Sequence, residues 1–499
     1  MSVLVEIVQE QPEVHPVASE GSIAPSRNQL LLVIAGLCPL LGGVLVAKVA
    51  ATLVGPSGVG LLATVQSVAG LVTLLADFNV GQGLVRQAPG GSLSRASATA
   101  ARAITAVGGS VLVVVAFLLS PLLGPAVLGA GAAPRSFVLA AATGSLGMLI
   151  QQEVNIAAAR RRIGSVARIL IVQGLVAPSV TIAVLYIGGR TTTALAVLCG
   201  TGASLIIIGG VSRHNSFPRS PPAQRSDIRA AASALLRFGG PMTVAVLLGT
   251  GSQLVLPIIV RKQVGLSGAG FFRAATLVSM GYLAVLLTAM ARDYYPRLGA
   301  ETGPAGLQRT VDNQLRLALR VAAPLMAVAA TVAPWLIRTL YSKQFNPAGK
   351  LLEIQIVGDV LKLAAWCFSY AILAKARTSI IVFLELVGAV ALVSGTYVGA
   401  TLGGLTGCGV GFVLAYALYL TAAAVISFRE LDVRISTCAA CDLLACLVCA
   451  ALPSLARQQL PGVPGFLIGV AICLTALARA LPVLRTMGAV PKAIVCENK

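Results

Sequence analysis

The hexapeptide Gly55-Pro56-Ser57-Gly58-Val59-Gly60 returns 210 residues later as Gly265-Leu266-Ser267-Gly268-Ala269-Gly270. Each copy separates two apolar runs. A second pair, Ser120-Pro121-Leu122-Leu123 and Ala333-Pro334-Trp335-Leu336, recurs at an offset of 213. Two matches at nearly one offset predict two homologous lobes of six helices. Six is even, so both lobes enter a membrane from the same side. They are then related by an axis along the membrane normal, with a central cleft between them.

The composition agrees with a membrane protein. Of 499 residues, 57% are hydrophobic and 11% are charged, and the mean hydropathy is +0.89. Apolar runs of about 20 residues are long enough to cross a bilayer as helices. They exclude a soluble enzyme, a disordered chain and a disulfide scaffold. Outer-membrane barrels alternate polar and apolar residues in short segments, unlike these runs. The chain also carries 37 Lys+Arg against 17 Asp+Glu, a net charge of +20. Its basic residues come in small groups between apolar runs, which excludes a nucleic-acid partner. The ten cysteines lie mostly in apolar runs, as reduced cysteines do.

Breaks at glycine, proline and charge place fourteen spans at about 29–54, 60–78, 101–120, 136–158, 165–188, 191–212, 237–260, 271–291, 317–337, 351–374, 378–400, 404–428, 436–455 and 463–484. The expected fold is an all-α polytopic membrane protein of two pseudo-symmetric six-helix lobes plus two C-terminal helices. Its parts are a tail over 1–28, a first lobe over 29–212, a linker over 213–236, a second lobe over 237–428, and a pair of helices with a tail over 429–499. Glu6, Glu10, Glu13 and Glu20 precede any long apolar run, so the tail is read as cytoplasmic and not as a signal peptide. With the N-terminus inside, 25 basic residues fall in cytoplasmic segments and 9 in outer ones, which places both termini in the cytoplasm. Most of the charge therefore records topology.

Two lobes around a cleft suit a transporter. No Walker-type phosphate loop is present, so the expected energy source is a proton or sodium gradient or the substrate's own gradient. No cofactor, metal or catalytic group is expected.

Charge is costly in lipid, so ionisable residues inside spans are functional candidates. The tenth span reads Leu351-Leu352-Glu353-Ile354-Gln355-Ile356-Val357-Gly358-Asp359-Val360-Leu361-Lys362. Lys362 lies about 16 Å along this helix, near the midplane. Asp359 is one turn away, at a spacing that lets the two pair. Lys362 is expected to face the cleft and attract an anionic head group, and Asp359 to tune it or carry a coupling proton. Lys48 in the first span is a second cationic candidate, although a lysine at that depth also snorkels to the interface. Arg273 and Arg292 bracket the eighth span and would catch a phosphate on entry or exit. Asp77, Glu153 and Glu385 join Asp359 as candidates for ion coupling. Helix-end solvation is the alternative for Asp77 and Glu153. Cys438, Cys441, Cys446 and Cys449 have the spacing of a zinc site, but they extend about 16 Å along one helix. Zinc needs sulfurs at about 2.3 Å from one centre. The four fall on one side of the helix and are expected to form a packing face.

Several of these residues resemble one family. Gln355-Ile356-Val357-Gly358-Asp359-Val360-Leu361-Lys362, then Tyr370, Ala374-Lys375-Ala376 and Glu385, resemble the bacterial O-antigen and enterobacterial-common-antigen flippases of the Wzx type. Lys48 with the Gly55–Gly60 turn, and Pro296 in Tyr295-Pro296-Arg297-Leu298, are similar to the same family. The resemblance covers about residues 29–428. It implies membership of the multidrug, oligosaccharidyl-lipid and polysaccharide exporter superfamily. It further implies a flippase of undecaprenyl-pyrophosphate-linked oligosaccharides in the bacterial inner membrane, serving O-antigen, exopolysaccharide or capsule synthesis alongside a polysaccharide polymerase. The cations would bind the pyrophosphate or acidic sugars. The polyprenyl tail would stay among the membrane lipids. Family members usually stop at twelve helices, whereas fourteen are expected here. Two rivals predict other features. A multidrug or cation antiporter calls for an acidic, aromatic cleft, yet aromatics are only 5% of the chain. A membrane-embedded polymerase calls for a large outer loop, which the spans do not leave room for.

Overall fold

Among the described residues every regular element is helical, as expected from the sequence. The structure is a computed structural model and describes residues 27–88, 93–129, 134–213, 224–301, 303–375 and 378–488. Residues 1–26 of the expected N-terminal tail lie outside them, and its last two residues belong to the first helix. The helices are α1 Arg27–Leu53, α2 Gly55–Asp77, α3 Val80–Gln87, α4 Arg95–Leu128, α5 Pro134–Ala159, α6 Ile163–Gly188, α7 Thr193–Arg213, α8 Arg225–Val246, α9 Ser252–Val264, α10 Leu266–Ala300, α11 Pro304–Leu340, α12 Asn346–Lys375, α13 Thr378–Leu431, α14 Thr437–Gln459 and α15 Val463–Gly488.

Eleven of these are long and apolar enough to cross a membrane, and the chain is a multi-pass membrane protein. Fourteen spans were expected; the one at 271–291 lies within α10, which is not among the eleven, and the other two differences have physical causes. Helix α13 contains two of them, 378–400 and 404–428, joined at Gly403 and Gly404. Gly404 has φ 56°, which a side chain would strain, and this residue breaks the helix. The two arms then fold together on glycine. A Cβ on Gly395 or Gly399 would strike the carbonyl of Gly411 or Gly407, and the reverse also holds. The span expected at 237–260 is interrupted by a π turn at Leu247–Gly251 between α8 and α9. From Arg225 onward the expected linker is helical, within α8; residues 214–223 of it lie outside the described residues. The short helix α3 was not anticipated. It follows Phe78 and Asn79, both at positive φ, which turn the chain sharply after α2.

The chain divides into two compact units, Met1–Ala274 with Thr339–Phe345, and Ala275–Arg338 with Asn346–Lys499.

The first unit contains both glycine hexapeptides, and they do the same work at equivalent positions. Gly55 (φ 67°) and Gly265 (φ 96°) lie between consecutive helices in backbone conformations that disfavour a Cβ. Gly58 and Gly268 each leave room for the valine four residues earlier, Val54 and Val264. Gly60 packs on the Leu266 carbonyl, and Gly270 packs on the Pro56 carbonyl. The repeat seen in the sequence is thus a reciprocal crossing of two helix starts. Without an aqueous hydrophobic drive, such close backbone approach is the main source of helix association in lipid.

In the second unit α12 is the most buried of the eleven spans. Gly358 of α12 and Gly409 of α13 admit Phe412 and Ile354 between the two helices. Helix α14 is capped by Ser436, whose Oγ accepts from the Ala439 amide at 3.1 Å. It is tied to α11 through Asp442, which accepts from Arg316 at 3.3 Å and Arg320 at 3.0 Å. The cysteines do not form one packing face: Cys446 is buried, but Cys438 and Cys441 are exposed. Asp442 and its arginines, and not the sulfurs, fix how α14 turns.

The crossing predicts an asymmetry among glycine variants. Gly60→Ala or Gly270→Ala should cost about 1–3 kcal/mol through forced backbone movement. Gly43→Ala meets nothing within 4 Å and should be neutral. Thermal unfolding of the purified protein in detergent measures this. An unchanged midpoint for Gly60→Ala would refute the crossing.

Candidate functional site

Lys362 lies in the middle of α12, and both it and Asp359 are 0% exposed. Side chains of α10, α12 and α13 enclose the two groups. Lys362 is held by neutral but polarizable partners. Its ammonium lies 4.9 Å from the Trp366 ring centre and 5.1 Å from that of Tyr416. It also donates to the Met280 sulfur at 3.7 Å. Such partners stabilise a cation without cancelling its charge.

Asp359 and Lys362, whose spacing lets them pair, interact electrostatically, but no salt bridge within 4.0 Å joins them. Helix α10 supplies the reason. Ser279 and Tyr282 lie one turn apart on it, and both hydroxyls donate to Asp359 Oδ2, Ser279 at 2.7 Å. Asp359 Oδ1 is buried without a hydrogen-bond partner. These two hydroxyls were missed in the sequence. The available signal was a Ser-x-x-Tyr spacing within an apolar helix. Gln355, one turn before Asp359, reaches Thr276 on the same α10 at 3.4 Å.

Glu385 is also buried in this unit. It accepts from Tyr419 at 3.1 Å, and Ser369 donates to the same tyrosine oxygen at 3.2 Å. Asp359 and Glu385 are thus each bonded by hydroxyls of their own, apart from one another.

The cationic candidates of the first unit come together. Lys48 donates to the Thr339 carbonyl at 2.5 Å and to the Tyr341 carbonyl at 2.9 Å. It therefore caps the C-terminal end of α11, where carbonyls lack helical partners. Arg273 donates to Gln66 at 3.2 Å, and its Nε is buried without a hydrogen-bond partner. Tyr341 is close enough to Arg273 to interact electrostatically with it. Its ring stacks on Phe345 at 5.0 Å, and Phe345 meets Phe271 edge-on at 5.5 Å. Two cations that lie 225 positions apart thus share one aromatic-walled corner. The side chain of Arg292 lies outside the described residues.

Among the first unit's acids, Glu153 takes a bidentate bond from Arg102, at 2.6 and 2.8 Å. Asp77 ends α2, and its Oδ1 has no hydrogen-bond partner. A further ion pair escaped the sequence reading. Arg457 of α14 donates to Glu353 of α12 and, at 2.7 Å, to the Thr331 carbonyl. Its partners lie more than 100 positions away, so no spacing rule signals it. Among the described residues no group of three His, Cys, Asp or Glu is arranged to hold a metal ion.

A family model described as polysaccharide biosynthesis protein matches residues 49–350. A curated relative, the lipid III flippase of Escherichia coli, is 27% identical over 160 residues, which covers 30% of this chain and 37% of that protein. The match therefore spans little more than a third of that relative's length. Among solved structures, the lipid II flippase MurJ in an inward closed conformation aligns with a TM-score of 0.60 at 13% identity, covering 93% of this chain and 99% of that one. A Vibrio cholerae MATE transporter, VcmN, aligns with a TM-score of 0.53 at 13% identity, covering 87% and 98%. At these identities the structural likenesses show the fold.

Independently of those likenesses, the Lys48 contacts give a local expectation. Charged hydrogen bonds to two carbonyls are worth enough that Lys48→Met should speed amide exchange across 339–345 about tenfold or more. Hydrogen-exchange mass spectrometry reads this segment directly. Unchanged protection there would mean that Lys48 does not hold the end of α11.

Proposed function

Since the chain belongs to the polysaccharide biosynthesis protein family, we propose that it is a flippase for a lipid-linked oligosaccharide. It moves an undecaprenyl-pyrophosphate-linked unit from the cytoplasmic to the periplasmic leaflet by alternating access. The product feeds O-antigen, exopolysaccharide or capsule synthesis, where a polysaccharide polymerase is the partner. The protein is a transporter and makes or breaks no covalent bond. It resides in the bacterial inner membrane with both termini cytoplasmic.

The observation that carries this reading is Lys362. It is a positive charge in a membrane-spanning helix, 0% exposed, and its contacts are π faces and a thioether. A pyrophosphate supplies what those partners do not, an opposite charge with several acceptor oxygens. Arg273 has a donor nitrogen in reserve. Lys48 uses two of its three protons on carbonyls and has one left. Arg273 and Lys48, with Arg292, are the further cations assigned to the substrate. The names of the lipid III and lipid II flippases fit a lipid-linked saccharide as cargo. A drug or cation antiporter would place an acid where Lys362 stands.

Coupling to a proton or sodium gradient falls to Asp359, Glu385, Asp77 and Glu153. They are not equal. Glu153 is already neutralised by Arg102, whereas Asp359 and Asp77 each keep one oxygen unbonded. Asp359 lies one turn from Lys362 and is the first candidate.

Two variants test the reading. Lys362→Ala should lower polysaccharide export about tenfold or more, in line with losing a charge-assisted contact. Complete lipid-linked units should then accumulate in the cytoplasmic leaflet while the protein still inserts. Export at the wild-type level would refute the binding role. Asp359→Asn should abolish any acceleration of lipid-linked sugar transfer by an imposed pH gradient in proteoliposomes. Acceleration that persists in this variant removes Asp359 from coupling.

A further inference from the structure

The second unit contains a cavity of about 1410 Å³ that the transport proposal does not use. It opens beside the turn between α11 and α12. Its walls come from α11, α12, the second arm of α13, α14 and the start of α15. It is larger than the roughly 300–1,000 Å³ of ordinary small-molecule sites.

Its polarity is graded along one direction. Arg338 and Lys350 stand at the end nearest the α11–α12 turn. Val332 of α11 and Val357 of α12 lie about 10 Å further along their helices than Arg338 and Lys350, and the Arg457–Glu353 pair lies between these levels. Trp335 meets Phe466 edge-on at 5.3 Å at the charged end and is 45% exposed. Tryptophan at this level marks the boundary between head groups and acyl chains.

The charges of the cavity are not balanced. Arg457 is neutralised by Glu353 and held by the Thr331 carbonyl. Arg338 is aimed by a 2.7 Å bond to Asn346, a neutral partner. Lys350 is exposed, and no salt bridge engages it among the described residues. Two positive charges therefore remain above an apolar trench. That combination is complementary to an anionic head group attached to a long hydrocarbon chain.

We propose that this groove holds an anionic phospholipid from the leaflet at that end of the unit. Its phosphate sits between Arg338 and Lys350, and an acyl chain runs along Val357 and Val413. The lipid then touches both α11–α12 and the α14–α15 pair. It fills a gap that side chains leave open and braces the C-terminal helices from the side opposite Asp442. This site is independent of the flippase reading, since none of its residues is assigned to the transported substrate.

The test uses the purified full-length protein in detergent, supplied with equal amounts of phosphatidylglycerol and phosphatidylcholine and analysed by native mass spectrometry. Wild type should retain phosphatidylglycerol in preference. Arg338→Ala with Lys350→Ala should reduce that preference about tenfold or more. Val410→Trp, which fills the trench without changing charge, should reduce retention of both lipids. Lys362→Ala should leave retention unchanged, which separates this site from the transport site. No preference in wild type, or an unchanged preference in the double variant, overturns the proposal. Retention of added undecaprenyl phosphate in place of phosphatidylglycerol also overturns it, because the groove would then belong to the transport route.

Discussion

The hydrocarbon core of a membrane offers no hydrogen-bond partner, so polar groups inside it depend on the protein itself for theirs. Helices answer the backbone. Beside the side-chain amides that answer Arg273 and Arg338, three kinds of partner answer cations among the described residues. Carboxylates answer Arg102, Arg316, Arg320 and Arg457, through Glu153, Asp442 and Glu353. Backbone carbonyls answer Lys48 and Arg261, the latter at Ala126. Rings and a sulfur answer Lys362. The first kind locks a pair together, because removing either partner strands a charge. The third kind leaves the charge available. The nature of the partner therefore separates cations that hold the fold from cations suited to a ligand.

The same absence of water explains the glycines. Lipid tails are as apolar as leucine, so helices gain little by hiding leucine from them, and close contact has to supply the attraction. Gly60 and Gly270 bring two helix starts together, and Gly395, Gly399, Gly407 and Gly411 fold α13 back on itself. Substituting a larger residue at these points would push backbone away from backbone, which no side-chain rotation relieves. That requirement falls on both hexapeptides, 210 positions apart.

Much of this fold was legible because it rests on local signals. Apolar length gave the spans, and glycine spacing gave the repeat and the break at Gly403–Gly404. The short helix α3 and the π turn at 247–251 were not legible, because each depends on how neighbouring segments pack and neither has a periodic pattern. In the candidate site, depth along one helix was enough to single out Lys362 and Asp359. Their partners were not readable. Ser279 and Tyr282 approach Asp359 from 77 to 80 positions away, and Arg457 reaches Glu353 from 104. Spacing along α12 suggested that Asp359 would bond Lys362, but spacing cannot register a competing donor on another helix.

That competition bears on how coupling would work. Had Asp359 and Lys362 paired, an arriving anion would first have to break a buried ion pair, at a cost of several kcal/mol on the scale of such pairs. With Asp359 held by α10 hydroxyls and Lys362 by neutral groups, the two sites are separate but only one helical turn apart. On the proposed reading, a phosphate at Lys362 places negative charge near Asp359 and favours a proton there. By linkage, a proton at Asp359 favours the phosphate to the same extent. The unbonded Asp359 Oδ1 is where that proton would reside. Coupling of this sign carries proton and cargo in the same direction, whereas export against an inward proton flow requires the two to alternate on the carrier.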